Sequence, residues 1–287
     1  MASLPVERPL SAKSGRVKTA RRLARRSSRA EDRLFLAEGA KALSEALHLP
    51  GGVVEVFATE AASEQYAALR KAVDDMGISW FSVGDDAITA LSGAVAPQGI
   101  VAVCRFLDVD LDVVLTRPVV EDRLPGEASA PRSRATVVIC ADVRDPGNAG
   151  TVIRTADATG ADGVVLAGNS VDLYNDKTVR ASVGSLWHLP IAVVDDPAEC
   201  VRRAQAAGFV VLAADGAGET DLFEAETSGL LDQPVAWLFG NEAWGLPDDL
   251  AALADHRVSI PIYGRAESLN LSTAAAVCLY AGARAAH

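Results

Sequence analysis

The sequence is poor in the residues that build disulfide frameworks, metal clusters and aromatic surfaces. It has four cysteines and four histidines in 287 residues, and aromatic side chains make up only 5%. The cysteines lie far apart, each in an apolar run, at Cys104, Cys140, Cys200 and Cys278. Since no CxxC pair or His/Cys cluster exists, we expect no metal site, and buried reduced thiols typical of a cytoplasmic protein.

Long apolar runs are missing as well. No stretch approaches the roughly 20 apolar residues that a transmembrane helix needs. The N-terminus carries charges but no apolar segment after them, so we expect no signal peptide and no membrane association. The chain is nevertheless 49% hydrophobic, which suits a sizeable core in one large domain or two smaller ones.

Charge is unevenly distributed along the chain. Residues 1–34 contain ten basic and three acidic residues, which gives them a net charge of +7. Since the whole chain has a net charge of −11, residues 35–287 carry −18. A basic arm on an acidic body is typical of a local phosphate-binding surface. By charge alone, a solvated basic helix or a disordered tail explains the arm equally well.

The pattern of apolar residues predicts two α/β units. Residues 1–106 contain the basic arm and a small unit, with helical spacing from Lys18 to Leu47 that is interrupted near residues 33–39. In that interpretation Leu34, Phe35 and Leu36 belong to the inward face of a helix. Residues 107–134 lack a sustained period and predict a linker, with a short ordered piece near Val113.

Residues 135–287 predict a mostly parallel sheet. Short apolar strands such as "VVIC", "GVVLA" and "VAWLF" alternate with helical segments, and this alternation is typical of a sheet covered by helices on both faces. In such sheets ligands bind beyond the carboxyl ends of the strands. Chemistry should therefore be sought in the loops that follow "VVICAD", "VVLAAD", "AWLFG" and "SIPI".

The first such loop is "DVRDPGNAGTVIR". Pro146 and Gly147 suggest a tight helix entry, and Asn148 is a good candidate for the N-cap. Arg154 follows inside the helix, and a helix N-terminus with an arginine suits an anion such as phosphate. An ordinary capped helix with a surface arginine explains the same spacing, and no GxGxxG supports a dinucleotide site.

Two further loops concentrate polar residues. In "LFGNEAWGLP", Glu242 follows a strand end and is a candidate orienting carboxylate, although Gly-Asn is also a common turn pair. In "SIPIYGRAESLNLSTAAAV", Ser268, Asn270 and Ser272 alternate with leucines. Either Asn270 or Ser272 could cap the last helix, but capping explains only one of the three.

Together, in this order and spacing, these segments resemble the three motifs of the SpoU (TrmH) family of RNA ribose 2′-O-methyltransferases. Asn148, Gly150 and Arg154 match the first motif, "FGNEAWGLP" the second and "IPIYGRAESLNLSTAAAV" the third. The resemblance covers residues 133–287. The N-terminal part, with "FLAEG" and "QGIVAV", is similar to an RNA-recruiting domain related to ribosomal protein L30e. General likeness extends to actinomycete antibiotic-resistance members of the avilamycin-resistance type.

The resemblance implies a fold and a cofactor. The expected fold is α/β, with a C-terminal, mostly parallel sheet that contains a deep trefoil knot, plus a smaller N-terminal α/β L30e-like domain. The implied cofactor is S-adenosylmethionine, held bent and mostly by backbone groups. The expected contacts are Ala214, Leu238, Gly240, Ile260 and Leu269. At Ala214 the family often has threonine, which puts a side-chain contact there in doubt.

The resemblance also implies catalytic and RNA-binding residues. It assigns activation of the ribose hydroxyl to Arg154, across a homodimer interface, by holding a phosphate or, less favoured, as a base. The polar frame around it is expected to comprise Asn148, Glu242, Ser268 and Asn270. Candidate RNA phosphate ligands are Arg144, Arg180, Arg21, Arg22, Arg25 and Arg26.

The implied reaction is 2′-O-methylation of a nucleotide in large-subunit (23S) rRNA in the cytoplasm. A tRNA methyltransferase and a non-catalytic RNA-binding module of the same fold stay open as alternatives. A small-molecule α/β enzyme would leave the basic arm unexplained.

Overall fold

The computed structural model describes residues 8–116 and 135–286, so most of the predicted linker, residues 117–134, lies outside the described residues. The strands are β1 (Leu34–Glu38), β2 (Val53–Ala58), β3 (Ser79–Ser82), β4 (Ile100–Arg105), β5 (Thr136–Ala141), β6 (Gly163–Ala167), β7 (Ile191–Val194), β8 (Val210–Ala214), β9 (Thr220–Asp221), β10 (Val235–Phe239) and β11 (His256–Ser259). The helices are α1 (Gly15–Arg21), α2 (Arg26–Asp32), α3 (Ala40–Ala46), α4 (Glu60–Gln65), α5 (Ala67–Asp75), α6 (Asp85–Leu91), α7 (Leu111–Leu115), α8 (Pro146–Ala158), α9 (Asp176–Ser182), α10 (Pro197–Ala206), α11 (Leu222–Thr227), α12 (Asp248–Ala251) and α13 (Leu271–Ala286). Short 3₁₀ turns lie at Arg22–Ala24, Ser185–Trp187 and Leu230–Asp232.

Among the described residues, the chain forms two compact units. The first contains the residues up to Leu107 together with Tyr174–Trp187, and the second contains Asp108–Leu173 and the residues from His188 onward. The short helix α7 confirms the ordered piece that was predicted near Val113. Within the described ranges, no helix is both long and apolar enough to cross a membrane.

The first unit is built on a four-stranded sheet in the order β1-β4-β2-β3. β4 runs antiparallel to both of its neighbours, whereas β2 and β3 are parallel. Phe57, Val101 and Val103 on the sheet pack with Val17 and Leu23 from the N-terminal helices. The sheet thereby anchors the basic arm, because the apolar residues of α1 are buried against it.

The prediction of a helical face at residues 34–36 is wrong, because this segment is strand β1. Arg33 ends α2 with a left-handed backbone at φ 54°, and Gly39 follows the strand at φ 99°. Between them the backbone pairs with β4 in an unbroken antiparallel register, in which Leu36 faces Val103. A short apolar run fits either period, and here the distant partner strand decides.

The second unit confirms the predicted parallel sheet. Its seven strands lie in the order β7-β6-β5-β10-β8-β11-β9, and every pair is parallel. The central strands β5, β6 and β10 are almost uniformly buried, as is typical of a sheet covered on both faces. Since parallel strands end on the same edge, the loops after β5, β8, β10 and β11 meet there.

One connection in this sheet has an unusual course. β8 and β9 follow each other in the chain, yet β11 lies between them and pairs with both. The connecting loop, residues 215–219, therefore crosses over β11, and we call it the crossing loop.

Candidate active site

A cavity of about 330 Å³ opens at the carboxyl edge of the parallel sheet. Its walls come from the ends of β8, β10 and β11 and from the two loops that carry the second and third motifs. The lining residues are Ala214, Asp215, Gly216, Phe239, Gly240, Asn241, Glu242, Ala243, Gly245, Val258, Ile260, Ile262, Glu267, Ser268, Leu269, Leu271 and Ala274. The cavity is thus formed by loops that were predicted from the sequence to carry the functional residues.

Helix α8 begins beside this cavity, and its N-cap differs from the prediction. The cap is Asp145, whose carboxylate accepts a hydrogen bond from the backbone N–H of Asn148 at 2.8 Å, while Pro146 occupies the first helical position. The predicted N-cap role of Asn148 is therefore wrong. Because the cap position is filled by Asp145, the amide side chain of Asn148 is available to neighbouring loops.

The carboxylate of Glu242 accepts hydrogen bonds from the turn that precedes α8. Its oxygens accept hydrogen bonds from the backbone N–H groups of Arg144 at 3.1 Å and Asp145 at 2.9 Å, and from the side-chain amide of Asn148 at 3.3 Å. Partial burial raises the pKa of this carboxyl, but the hydrogen bonds outweigh burial and hold the pKa below its ordinary value. Glu242 is therefore ionised at neutral pH.

Asn148 links Glu242 to the third motif. Its amide nitrogen faces Glu242, and its amide oxygen accepts a hydrogen bond from the side chain of Asn270 at 3.1 Å. The oxygen of Asn270 in turn accepts from the backbone N–H groups of Ser272 at 2.9 Å and Thr273 at 3.4 Å. Of the two predicted candidates for the cap of the last helix, the structure thus uses Asn270 rather than Ser272. The residues Glu242, Asn148 and Asn270 form one hydrogen-bonded chain, which we call the polar frame.

Asn241 joins the second motif to the first, a role that the sequence analysis missed. The side chain is buried and donates to the backbone oxygen of Asp142 at 2.7 Å, and its own oxygen accepts from Ala243 at 2.8 Å. Asp142 has a left-handed backbone at φ 55°, a conformation that non-glycine residues rarely adopt. Such strain is typical of functional sites, but it is invisible in a sequence.

The turn of the second motif explains Gly240. A Cβ atom at this position would lie 2.3 Å from both the backbone carbon and the oxygen of Gly245. Asn241 and Gly245 exchange two backbone hydrogen bonds of 2.9 Å, which close the turn. Only glycine fits under a turn this tight, and its backbone consequently faces the cavity.

The expected cofactor contacts are mostly brought together. Ala214, Gly240, Ile260 and Leu269 line the cavity, as does Ser268 from the catalytic set. Leu238 does not line the cavity, because its side chain is fully buried in the core beneath the sheet edge.

The arginines are dispersed. Arg154 is exposed on α8. Arg144 is also exposed, and its guanidinium lies 5.1 Å from the ring centre of Trp244, itself 54% exposed beside the cavity. Arg180 belongs to the first unit, where it lies 3.0 Å from the carboxylate of Asp176 and 3.7 Å from that of Glu38.

The arginines of the basic arm lie on a bend between α1 and α2. The side chains of Arg21, Arg22, Arg25 and Arg26 are all exposed. Buried Arg29 donates to the backbone oxygens of Leu23 at 2.8 Å and Ala24 at 3.0 Å, which fixes the bend. No group of three or more His, Cys, Asp or Glu residues is placed to hold a metal ion in the part of the chain that the structure describes.

Comparisons with known proteins agree with both units. Residues 135–280 match the SpoU rRNA methylase family, and residues 15–102 match the MRM3-like substrate binding domain. The chain is 33% identical to the 23S rRNA (guanosine(2553)-2′-O)-methyltransferase RlmP of Bacillus subtilis, over 94% of this chain and 96% of the relative. It is 39% identical to the 23S rRNA (uridine(2479)-2′-O)-methyltransferase of Streptomyces viridochromogenes, over 66% of this chain and 61% of the relative.

A solved structure extends the comparison to the whole fold. The AdoMet-bound rRNA methyltransferase from Sinorhizobium meliloti superposes with a TM-score of 0.79 at 33% sequence identity, covering 96% of this chain and 97% of the other. The match covers both the unit with the parallel sheet and the smaller N-terminal unit, as the resemblance implied. The chain belongs to the SpoU rRNA methylase family.

Proposed function

We propose that this protein transfers a methyl group from S-adenosylmethionine to the ribose 2′-hydroxyl of one nucleotide in 23S rRNA. The observation that carries the proposal is the polar frame, which joins all three motifs by hydrogen bonds at the cavity. Two relatives named as 23S rRNA 2′-O-methyltransferases support the substrate class, and they are named for different nucleotides.

The cavity fits S-adenosylmethionine chemically. Ile260, Ile262 and Leu269 offer an apolar surface for an adenine ring, and Gly216 and Gly240 expose backbone groups for hydrogen bonds. The ionised carboxylate of Glu242 at the rim suits a positively charged ligand. When bound, the cofactor would supply a methyl group on a positively charged sulfur, which is the electrophile of the reaction.

The task of the chain itself is to position a poor nucleophile. A ribose hydroxyl must be aligned with the methyl group and must lose its proton, and orientation alone accounts for large rate effects. The polar frame holds the entry of α8, the motif-two turn and the start of α13 in one arrangement. We infer that Asn148, Asn270 and the exposed Ser268 bind and orient the ribose.

Arg154 is proposed to act in the active site of the partner subunit rather than in the site of its own chain. It lies six residues after Asn148 on α8, so the two side chains point roughly 120° apart around the helix axis. Its exposure supports contact with a second copy of the chain, as expected for a homodimer. We favour a role in holding the phosphate next to the target ribose, because a guanidinium stays charged in proteins and is a poor proton acceptor.

Mixed dimers test this arrangement. A dimer of one Arg154→Ala subunit and one Asn148→Ala subunit retains one complete site if Arg154 acts across the interface. We expect about half of the wild-type activity in that mixed dimer and almost none in either homodimer. An inactive mixed dimer would place Arg154 in its own subunit's site, and a monomeric wild-type protein would remove the arrangement altogether.

The basic bend is proposed as the RNA backbone contact. Its four exposed arginines lie on one turn region of the unit that matches a substrate binding domain. Of these arginines, Arg22 has the carboxylate of Glu31 3.7 Å away, at an exposed position where such a pair is weak. Arg144 is proposed as a second phosphate contact, whereas the charge of Arg180 is already balanced by two carboxylates.

Salt dependence of RNA binding tests the basic bend. Each lost phosphate contact lowers the slope of log K against log salt by about 0.7–0.9. Replacing Arg25 and Arg26 by glutamine should therefore reduce the slope by about 1.5, whereas the matched control pair, Arg70→Gln with Lys71→Gln on α5, should leave it unchanged. Equal slopes in both double variants would reject the assignment.

The reaction itself is tested with labelled cofactor. Purified protein and methyl-labelled S-adenosylmethionine are incubated with naked 23S rRNA, with large ribosomal subunits and with tRNA, and the modified nucleotide is mapped. We expect one ribose-methylated nucleotide in 23S rRNA. Label only in tRNA would favour the tRNA alternative, and no label in any RNA would favour a non-catalytic binding module.

Four expectations stay predictions. They are the deep trefoil knot, the homodimer, the cytoplasmic location and a role in antibiotic resistance. The crossing loop supports the knot, because a chain segment that passes over a later strand is a component of a threaded topology. Susceptibility of a deletion strain to ribosome-targeting antibiotics would distinguish resistance from housekeeping.

A further inference from the structure

The crossing loop connects β8 to β9 and passes over β11, which lies between them in the sheet. Flanking strands of one sheet lie about 10 Å apart when a third strand separates them. The loop begins with Asp215, whose backbone N–H donates to the oxygen of Val258 at 3.0 Å and so extends the pairing of β8 with β11. It turns back through a 2.9 Å hydrogen bond from Gly218 N–H to the oxygen of Asp215.

Gly218 brings the loop against the backbone of β11. A Cβ atom at this position would lie 2.7 Å from the backbone oxygen of Arg257 and 2.8 Å from the nitrogen of Ser259. These contacts are closer than packing allows, so the loop fits only with glycine there. The loop and the strand beneath it therefore form one closely packed element.

Arg257 on β11 holds both ends of the loop. Its guanidinium donates two hydrogen bonds to the carboxylate of Asp215, from Nε at 3.0 Å and from Nη2. Its backbone N–H donates to Glu219 at 3.2 Å. The other oxygen of Asp215 accepts from Ala217 N–H at 2.9 Å. Both guanidinium bonds converge on one oxygen of Asp215, so the planar group fixes direction as well as distance, which a lysine could not do.

Asp215 is held in its charged form. Burial raises the pKa of its carboxyl, but the hydrogen bonds from Ala217 and Arg257 and the charge of Arg257 outweigh burial, so the pKa lies below its ordinary value. The ion pair is partly shielded, with 20% of the Asp215 side chain and 35% of the Arg257 side chain exposed. It is thus formed across the neutral pH range.

The same loop is one wall of the cavity. Ala214, Asp215 and Gly216 line it, whereas Arg257 lies behind them on β11. We propose that Arg257 is a positioning residue for the cofactor, whose guanidinium acts through Asp215 to fix the crossing loop in its binding form before the cofactor arrives. This inference rests on the proposed cofactor, S-adenosylmethionine. A loop with two glycines would otherwise lose conformational freedom on binding and weaken affinity.

Calorimetric titration of the RNA-free protein with S-adenosylmethionine and S-adenosylhomocysteine tests the proposal. We expect Arg257→Ala to raise both dissociation constants by about tenfold to hundredfold, and Arg257→Lys to raise them less. The matched control is Arg203→Ala, which breaks another arginine–aspartate pair of the same unit, with Asp112, and should change neither constant. Because the expected defect of Arg257→Ala lies in cofactor binding, its kcat and its KM for RNA at saturating cofactor should stay within about threefold of wild type.

Hydrogen exchange supplies a readout that is independent of activity. In the cofactor-free protein, the amides of Ala217 and Gly218 should exchange faster in Arg257→Ala than in the control. Asp215→Asn, which keeps the shape of the side chain, should reproduce both effects if Arg257→Ala proves too unstable to measure. Thermal unfolding checks that each variant is folded.

Two results would overturn the proposal. One is cofactor binding within twofold of wild type in Arg257→Ala with unchanged exchange in the loop. The other is loss of binding in Asp215→Asn but not in Arg257→Ala, which would make Asp215 a direct cofactor ligand. Failure of the proposed function looks different, because wild type would then bind the cofactor tightly but methylate no RNA.

Discussion

The substitution Asn148→Asp tests the polar frame most directly. The new carboxylate keeps the shape of the amide and can still accept the hydrogen bond from Asn270. It cannot donate to Glu242, and it places a second negative charge where the amide nitrogen now lies, 3.3 Å from the Glu242 oxygen. The variant therefore replaces one attractive contact by repulsion and leaves the rest of the frame intact.

The magnitude follows from the distance and the exposure of the pair. Two unit charges 3.3 Å apart repel by about 1.3 kcal/mol at the dielectric constant of water and by about 5 kcal/mol at an effective value of 20. Glu242 is exposed and Asn148 partly exposed, so the lower figure applies. The lost hydrogen bond adds about 1 kcal/mol, and a negative charge in the first turn of α8 returns about 0.5 kcal/mol. The net destabilisation is about 2 kcal/mol.

The signature of the repulsion is its pH dependence. Repulsion between two adjacent carboxylates raises the pKa at which the pair takes up its first proton, since one shared proton removes the repulsion. As pH falls from 7.5 to 5, the pair takes up a shared proton and regains a hydrogen bond. Asn148→Ala removes both contacts without adding charge, so its deficit should not change over this range.

Thermal unfolding of wild type and both variants at pH 7.5 and pH 5 measures the effect. We expect Asn148→Asp to lower Tm by about 4–8 °C at pH 7.5 and by clearly less at pH 5. Methyl transfer should fall much further than stability, by about a hundredfold, because the frame orients the ribose. Equal Tm deficits for the two variants at both pH values would refute the contact between Asn148 and Glu242.

Three further predictions concern charge, thiols and the motif-two turn. Since the pKa of Glu242 is lowered, its stabilisation is full above the unfolded value of 4.5 and is lost as pH falls through the lower folded value, so Tm of wild type should drop more than that of Glu242→Gln between about pH 5 and pH 3. Burial raises the pKa of Cys104 and Cys140 to about 12, so Ellman's reagent at pH 8 should modify them only after unfolding. Gly240→Ala should cost about 1–3 kcal/mol and weaken cofactor binding, whereas Gly264→Ala, whose Cβ meets open space, should do neither.

The site could be predicted from sequence because its residues stand at strand ends. Glu242 follows the end of β10 by three residues, Asn270 ends the loop between β11 and α13, and the carboxyl ends of parallel strands converge. The N-cap of α8 could not be assigned, because Asp145 and Asn148 are both good capping residues and lie on either side of Pro146. The structure uses Asp145, which leaves Asn148 free to join Glu242 and Asn270.

The roles of Asn241 and Arg257 could not be predicted either. Each side chain bonds to a residue far away in the chain, Asn241 to Asp142 and Arg257 to Asp215. No local period or motif records such a pair. Both contacts depend on which strands become neighbours in the sheet, and strand order is not encoded in the spacing of apolar residues.

By itself, the sequence determined the alternation of strands and helices in the second unit, the basic character of the N-terminal arm and the polar segments of the site. These are local properties, since apolar period, charge and turn residues act over a few positions. Tertiary structure decided that residues 34–38 form a strand, because β4 supplies the pairing partner. It also decided the strand order β8-β11-β9, because of which the crossing loop passes over β11. This order brings Arg257 on β11 within hydrogen-bond distance of Asp215 in the cavity wall.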